Sequence, residues 1–515
     1  MTMPTLLPPQ LINPLLLQMI AMLPLLITSA TAILVMLFIA VRRNHWWNAT
    51  LTVTGLNLAL FSVVWVGLIV HTVGPVQVTP LIVVDGFSCL YMALVLGATL
   101  ACATLCHAYM EGFPGNKEEM YLLLSISALG ALVLVCCHNL ASLFIGLELL
   151  SVPIYGMIAY AFRLQKSLEA GLKYMLLSAA ASAFMLFGMA LLYADCGSLD
   201  FSQLGQDMSM GIKNPVELAG LAMMLVGFGF KLSLAPFHLW TPDVYEGAPA
   251  PVSAYLASVS KLAIFAVFTR FLIFSQAVHS GLLLHVLAVL AIVSIAIGNL
   301  LALMQNNIKR LLGYSSIAHF GYLLIALMAG AISFEVVSVY LVTYVISTLA
   351  AFGVVTLMSS PYQGKDADAL HEYRGLFWRR PFLTAVLTVS MLSLAGIPMT
   401  AGFIGKFYIV LGGIFAEGTD FGNLWVWSLL AALVAGSAVG LFYYLRVVTT
   451  LFLPSAGMRR YDAPRDWGRR FGGVMVLALA ALTLIVGLYP QPVLDVIRLS
   501  GETPRHAGSQ QVHYR

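Results

Sequence analysis

Apolar residues fill this chain in long blocks, and polar residues gather in the short joints between the blocks. A helix that crosses a bilayer needs about 20 mostly apolar residues, because the hydrocarbon layer is about 30 Å thick and each residue rises about 1.5 Å. Runs of that kind occupy residues 15–41, 49–71, 87–108, 120–137, 139–161, 168–193, 215–240, 250–274, 281–304, 311–330, 333–359, 381–414, 424–450 and 471–489. The pattern predicts an all-α polytopic membrane protein with about fourteen transmembrane helices. The joints, such as "EGFPGNKEE" and "PYQGKDADALHEYRG", are rich in turn residues and too short for a soluble domain.

Composition sharpens this picture. Of the 515 residues, 60% are hydrophobic and 9% charged, against about 25% charged in a soluble domain. So much apolar surface cannot be hidden in one water-soluble core. The first apolar run is too long for the core of a signal peptide and lacks a positive start, so it reads as the first crossing. Cys89, Cys102, Cys106, Cys136, Cys137 and Cys196 form no C-x-x-C pair and no zinc or iron–sulfur spacing. They read as small buried side chains, and no metal site is expected. The net charge of +4 is small and points to no nucleic-acid partner.

The placement of the charge says more than its sum. Joints after odd-numbered crossings hold sixteen basic residues: Arg42, Arg43, Lys117, Arg163, Lys166, Lys309, Arg310, Lys365, Arg374, Arg379, Arg380, Arg459, Arg460, Arg465, Arg469 and Arg470. Joints after even-numbered crossings hold Lys213 alone, with Arg498, Arg505 and Arg515 in the tail. Basic loops stay in the cytoplasm. The expected protein therefore spans its membrane many times, with both termini outside the cytoplasm.

Removing the loop charges leaves Glu148, Lys173, Lys231, Lys261 and Lys406 inside apolar runs, joined by His238 and His319. Glu148 is the one acidic residue near a helix midpoint. Four central lysines together oppose insertion by on the order of 10 kcal/mol, and such groups persist where they pair or line a water-filled path. A single lysine can instead snorkel to an interface. Lys173, close to the start of its crossing, is the most open to that reading, and Lys231 the least. Lysine suits proton transfer, since desolvation disfavours its charge and a nearby carboxylate restores it. His238 and His319 could relay near neutral pH or serve as hydrogen-bonded helix contacts.

"KLSLAP" at 231–236 recurs as "LSLAGIP" at 392–398, and "MTAGFIGKFYIV" then carries Lys406. Two proline-interrupted helices, each with a lysine, point to matching positions of two repeats, where transporters place their sites. The freed carbonyls need water or a polar partner. There is no G-x-x-x-x-G-K-[ST], and "GFGF" at 227–230 lies in a helix without a dinucleotide-binding context. With no soluble domain for NADH, flavin or ATP, the chain can move charge, but the energy must come from elsewhere.

"FIGLELLSVPIYG", "SLEAGLKYMLLSAAAS", "FKLSLAPFHLWTPDVYEGAPAPVSAYLASVSK", "NIKRLLGYSSIAHFGYLL" and "LSLAGIPMTAGFIGKFYIV" resemble the antiporter-like subunits of respiratory complex I, the NADH:quinone oxidoreductase. The resemblance runs over essentially the whole chain. It implies two inverted five-helix repeats with discontinuous seventh and twelfth helices: residues 119–274 and 275–450, preceded by three helices in 1–118 and followed by a cytoplasmic loop, a last helix and a short tail in 451–515. It also implies that Glu148 on the fifth helix pairs with Lys231 on the seventh, and that Lys261 and Lys406 extend a buried polar axis. Lys173, His238 and His319 are candidate relays. The expected role is proton translocation within a redox translocase of a bacterial inner membrane, with both termini periplasmic. No cofactor is expected on this chain. NAD, FMN, iron–sulfur clusters and quinone belong to partner subunits, and the contacts expected are other membrane subunits and lipid. The Mrp-type cation/proton antiporters share this ionisable skeleton and remain an alternative, as does a structural subunit without a path of its own.

Overall fold

The computed structural model describes residues 14–111, 115–208, 214–275, 281–328, 333–359, 366–415, 423–454 and 470–510. Lys213, Lys365, Arg459, Arg460, Arg465, Arg469 and Arg515 lie outside them. Thirteen described helices are long and apolar enough to cross a membrane. A fourteenth crossing, the twelfth in chain order, is made of two shorter helices, Pro381–Ala395 and Ala401–Phe415. The order of the others is Leu23–Val41, His45–Val73, Gly86–Met110, Glu119–Cys136, Leu140–Ile158, Gln165–Cys196, Pro215–Leu232, Ala250–Phe274, Gly281–Leu303, Ile308–Leu327, Ser333–Met358, Asn423–Phe452 and Phe471–Leu488.

Several crossings begin where the sequence supplies a cap. Asn44, Asp85, Asn139, Asn214 and Asn307 each accept a hydrogen bond from a backbone N–H of the first turn, satisfying donors that a helix start leaves free. Burial then sorts the helices. The most apolar stretch of the eleventh crossing is 100% buried, that of the eighth 94% and that of the tenth 89%, whereas the thirteenth and fourteenth reach 33%. The eighth, tenth and eleventh crossings are therefore the hub. The outer helices turn apolar side chains such as Phe61, Phe184 and Phe442 outward, as a lipid-facing surface requires.

The seventh and twelfth crossings break in the same way. Leu232 ends a helix, and Ser233 takes a left-handed conformation with φ 63°. Its N–H reaches the carbonyls of Gly229 and Phe230, and the Leu234 N–H reaches back to Gly229 O at 2.8 Å. At the second break Gly396, φ 84°, reaches Leu392 and Ser393, and Ile397 N–H reaches Leu392 O at 3.0 Å. Both are helix ends closed by a left-handed residue, and each is followed by a proline that cannot resume the ladder. After the first break the short helix Trp240–Gly247 leads to the next crossing, with Trp240 Nε1 donating to Phe230 O at 3.0 Å across the gap.

Two features were not legible in the hydrophobic pattern. Strand β1, Val76–Thr79, pairs antiparallel with β2, Ile82–Val84, and caps the end of the bundle opposite the basic loops. The tail after the last crossing is a helix, Gln491–Gln510, tied by Arg498 to Glu335 at 2.9 Å.

Candidate functional site

Lys231 is the penultimate residue before the first break and is 2% exposed. Its Nζ donates to Ser151 Oγ at 2.8 Å and to Ser178 Oγ at 2.7 Å, and Ser178 also bonds the Tyr155 hydroxyl at 2.9 Å. Glu148 stands one helical turn before Ser151 on the fifth crossing, with a buried Oε1 that has no hydrogen-bond partner among the described residues. The carboxylate acts electrostatically on Lys231, but the ammonium's hydrogen bonds go to neutral serines. An unsatisfied buried carboxylate oxygen costs more than the about 1–3 kcal/mol of a neutral group.

Lys261 follows one turn of π-helix, Leu256–Ser260, inside the eighth crossing; such irregular turns concentrate at functional positions. Its Nζ donates to Ser316 Oγ at 2.7 Å, which also accepts from the Tyr344 hydroxyl at 2.8 Å. The Phe320 ring lies 4.9 Å from the ammonium and Tyr245 5.7 Å, near enough for a cation–π attraction. One turn beyond Ser316, His319 is bonded on both ring nitrogens, to Tyr340 at 2.7 Å and Tyr444 at 3.0 Å.

Lys406 reaches back over the second break and donates to Ala395 O at 2.8 Å, a carbonyl freed by the end of the helix. A cation is favoured there by the helix dipole as well. Gly396 makes the reach possible, since a Cβ on it would lie 2.7 Å from Lys406 Cδ. A cavity of about 10 Å³, lined by His319, Tyr344, Ser347, Ser393 and Lys406 among others, joins the histidine to the lysine. That is room for about one water.

Lys173 stands apart from this axis. Its side chain is 35% exposed and pairs with Asp243 at 2.6 Å and Glu169 at 3.7 Å. Arg310 also binds Asp243, at 2.7 Å, and Glu246, at 3.0 Å, while Lys166 meets Glu246 at 2.7 Å. These groups line a cavity of about 170 Å³ at the basic end. Partial burial opposes ionisation of Asp243 and Glu246. Hydrogen bonds from Lys173 and Arg310 to the first, and from Lys166 and Arg310 to the second, outweigh it and hold both carboxyls below their usual range. His238 lies buried within the first break and shares no hydrogen bond with the three axial lysines.

The sequence pattern missed two buried cations, Arg270 and Lys309, and a half-buried one, Arg446. Arg270 and Arg446 lie inside apolar runs, which is the signal that should have found them. Arg270 pairs with Asp85 at 2.5 Å, donates to Ser88 Oγ at 3.0 Å and covers the Phe87 ring at 4.5 Å. Lys309 reads as a loop charge, yet it is fully buried between Asp366 and the Ala248 carbonyl, each at 2.6 Å. Nothing in its neighbourhood in the sequence marks it.

A many-helix bundle with two matching breaks and a lysine at each defines the class of antiporter-like membrane subunits. Residues 137–434 match the family described as NADH:quinone oxidoreductase/Mrp antiporter, TM. Within that class the chain belongs to the NADH-quinone oxidoreductase subunit N family. It is 60% identical to subunit N of Ectopseudomonas mendocina, over 93% of this chain and 96% of the relative. It is 58% identical to that of Chromohalobacter salexigens, over 93% and 98%. A chain of respiratory complex I from Thermus thermophilus is 34% identical, with a TM-score of 0.77 over 92% of this chain and 98% of the other. A chain of the Mrp complex from a Dietzia species shares the fold at 22% identity, with a TM-score of 0.80 over 94% and 97%.

Proposed function

We propose that this subunit carries protons along the line Glu148, Lys231, Lys261, His319 and Lys406, driven by electron transfer from NADH to quinone in neighbouring subunits. Membership in the subunit N family makes the chain a membrane subunit of that translocase, and its own residues handle protons rather than electrons. The basic end faces the cytoplasm and both termini face the periplasm, by the asymmetry of loop charge.

One observation carries the reading: each axial lysine lies inside the bundle, Lys231 and Lys261 buried and Lys406 half-buried, and is held by neutral oxygens, namely serines for Lys231 and Lys261 and a carbonyl for Lys406. A neutral oxygen can hold an ammonium and can equally donate to, or release, an amine. A fixed carboxylate partner would pin the charge. Glu148, near Lys231 but not bonded to it, supplies an adjustable field: the nearer the carboxylate, the more firmly Lys231 keeps its proton. Rearrangement in adjacent subunits would move the pair. Lys231 takes a proton that arrives through water, and passes it by way of Lys261 and across the buried tyrosine, histidine and water-sized cavity to Lys406.

The test is the proton-to-electron ratio of the complete complex in proteoliposomes. Lys231→Met and Glu148→Gln should assemble, and each should lower that ratio. A fully assembled Lys231→Met complex with an unchanged ratio would refute the reading.

A further inference from the structure

A broken helix leaves backbone donors that need partners from elsewhere. At the first break Ser233, Leu234 and Phe237 bond to carbonyls within the segment itself, and Pro236 has no N–H to offer. The Ala235 N–H does not stay within the segment: it donates to Ser294 Oγ at 2.9 Å, on the ninth crossing, Gly281–Leu303. Ser294 is fully buried. The second break is served differently. There the Gly402 N–H donates at 2.9 Å to Ser393, a residue of the same crossing. The first break is thus held by a neighbouring helix and the second by its own.

The ninth crossing does not act alone. Gly298, one turn past Ser294, rests directly on the tenth crossing, where an added Cβ would lie 2.6 Å from Ala318 N and 2.8 Å from Tyr314 O. Gly321 returns the contact, its Cβ falling 2.9 Å from Ala291 O. Small residues that let two backbones approach this closely lock the register of a helix pair. Tyr314 and Ala318 flank Ser316, the partner of Lys261, so Ser294 and Ser316 sit on one packed unit. The tenth crossing grips the same broken segment farther along: Arg310 holds Asp243 and Glu246, and Lys309 holds Ala248 O at 2.6 Å. The chain from Ala235 to Ala248 is therefore attached to the ninth and tenth crossings at both ends. Lys231 stands four residues before Ala235, so a change in its distance from Glu148 acts on the helix end that leads into this segment.

We propose that Ser294 is a positioning residue that couples the first break to Lys261: it fastens the ninth and tenth crossings to the segment after the break, so that a shift of that segment moves Ser316 relative to Lys261. The inference rests on the reading of Lys231 and Lys261 as proton carriers. Ser294 itself carries no proton. It makes the hold on one lysine depend on the state of the other, which alternate loading of two carriers requires.

The test uses the complete complex in proteoliposomes, with the proton-to-electron ratio and the yield of intact complex as readouts. Ser294→Ala should assemble and lose part of the ratio, and Ser294→Thr, which keeps the oxygen, should restore it. If the alanine variant does not assemble, Ser294→Cys replaces it, since a thiol keeps the size but accepts weakly. A double-mutant cycle then separates coupling from local damage. In a Ser316→Ala background Ser294→Ala should lower the ratio no further, because its effect passes through Ser316. In a Ser178→Ala background, at the Lys231 site, it should add its full loss. An unchanged ratio for Ser294→Ala, or a loss that adds in full to that of Ser316→Ala, overturns the coupling. So does a loss that disappears only in the Ser178→Ala background, which would make the contact local to Lys231. Lys261→Met separates these failures from that of the carrier reading. A lowered ratio in that variant leaves the carrier reading standing, and an unchanged one removes it and the coupling with it.

Discussion

The cations inside the bundle divide by the partner each one keeps. Lys231, Lys261 and Lys406 are held by hydroxyls or a carbonyl, whereas Arg270 is held by Asp85 and Lys309 by Asp366. The two groups should respond differently to mutation. Removing one partner of a buried ion pair strands the other charge and costs about 3–5 kcal/mol. Asp85→Asn should therefore lower the thermal midpoint of the detergent-solubilised complex strongly. Deleting a neutral serine partner forfeits about 1 kcal/mol, so Ser151→Ala or Ser178→Ala should change that midpoint little while slowing proton transfer at Lys231. Comparable destabilisation by all three would refute the division. The three axial lysines were legible in the sequence because a lysine in an apolar run contradicts its surroundings. Their serine partners were not, since a serine is ordinary in a membrane helix and only the fold says which ones meet Lys231.

At the scale of elements, the two breaks carry the most information. The paired "KLSLAP" and "LSLAGIP" stretches announced them, because proline removes a donor wherever it stands. The left-handed residue that closes each helix differs, Ser233 in one and Gly396 in the other. Gly396→Ala meets both the left-handed penalty, about 1–2 kcal/mol, and the Lys406 side chain. It should displace that lysine and depress pumping more than assembly, measured as the proton-to-electron ratio against the yield of intact complex. The π-turn before Lys261 and the β1–β2 hairpin left no such mark, as short irregular backbone is set by its neighbours. The short helix Trp240–Gly247 makes a further element-scale prediction. Asp243 and Glu246 anchor it through carboxyls held below their usual range. Depressed carboxyls contribute stability that is complete above the unfolded-state values and is lost as pH falls through the folded ones, so the loss belongs below about pH 4. Asp243→Asn with Glu246→Gln should flatten the acid limb of a stability–pH profile.

The whole molecule is polarised, and its polarity gives the proton path a direction. Basic joints collect at one end together with exposed Trp46, Trp47 and Trp378, as expected where a membrane meets the cytoplasm. The mixed-charge cavity around Asp243 and the hydrogen bond of Arg446 to Leu303 O lie at that same end. The hairpin, the Arg270–Asp85 pair and the Gln491–Gln510 helix lie at the other. Because the crossings number fourteen, both termini must share a side. A reporter fused to the C-terminus decides which side it is. Alkaline phosphatase should be active there and a fluorescent protein dark, whereas a fusion in the joint after residue 358 should give the reverse. The opposite result would put the cavity around Lys173, Asp243 and Arg310 on the periplasmic side, where it would serve the exit of protons and not their entry.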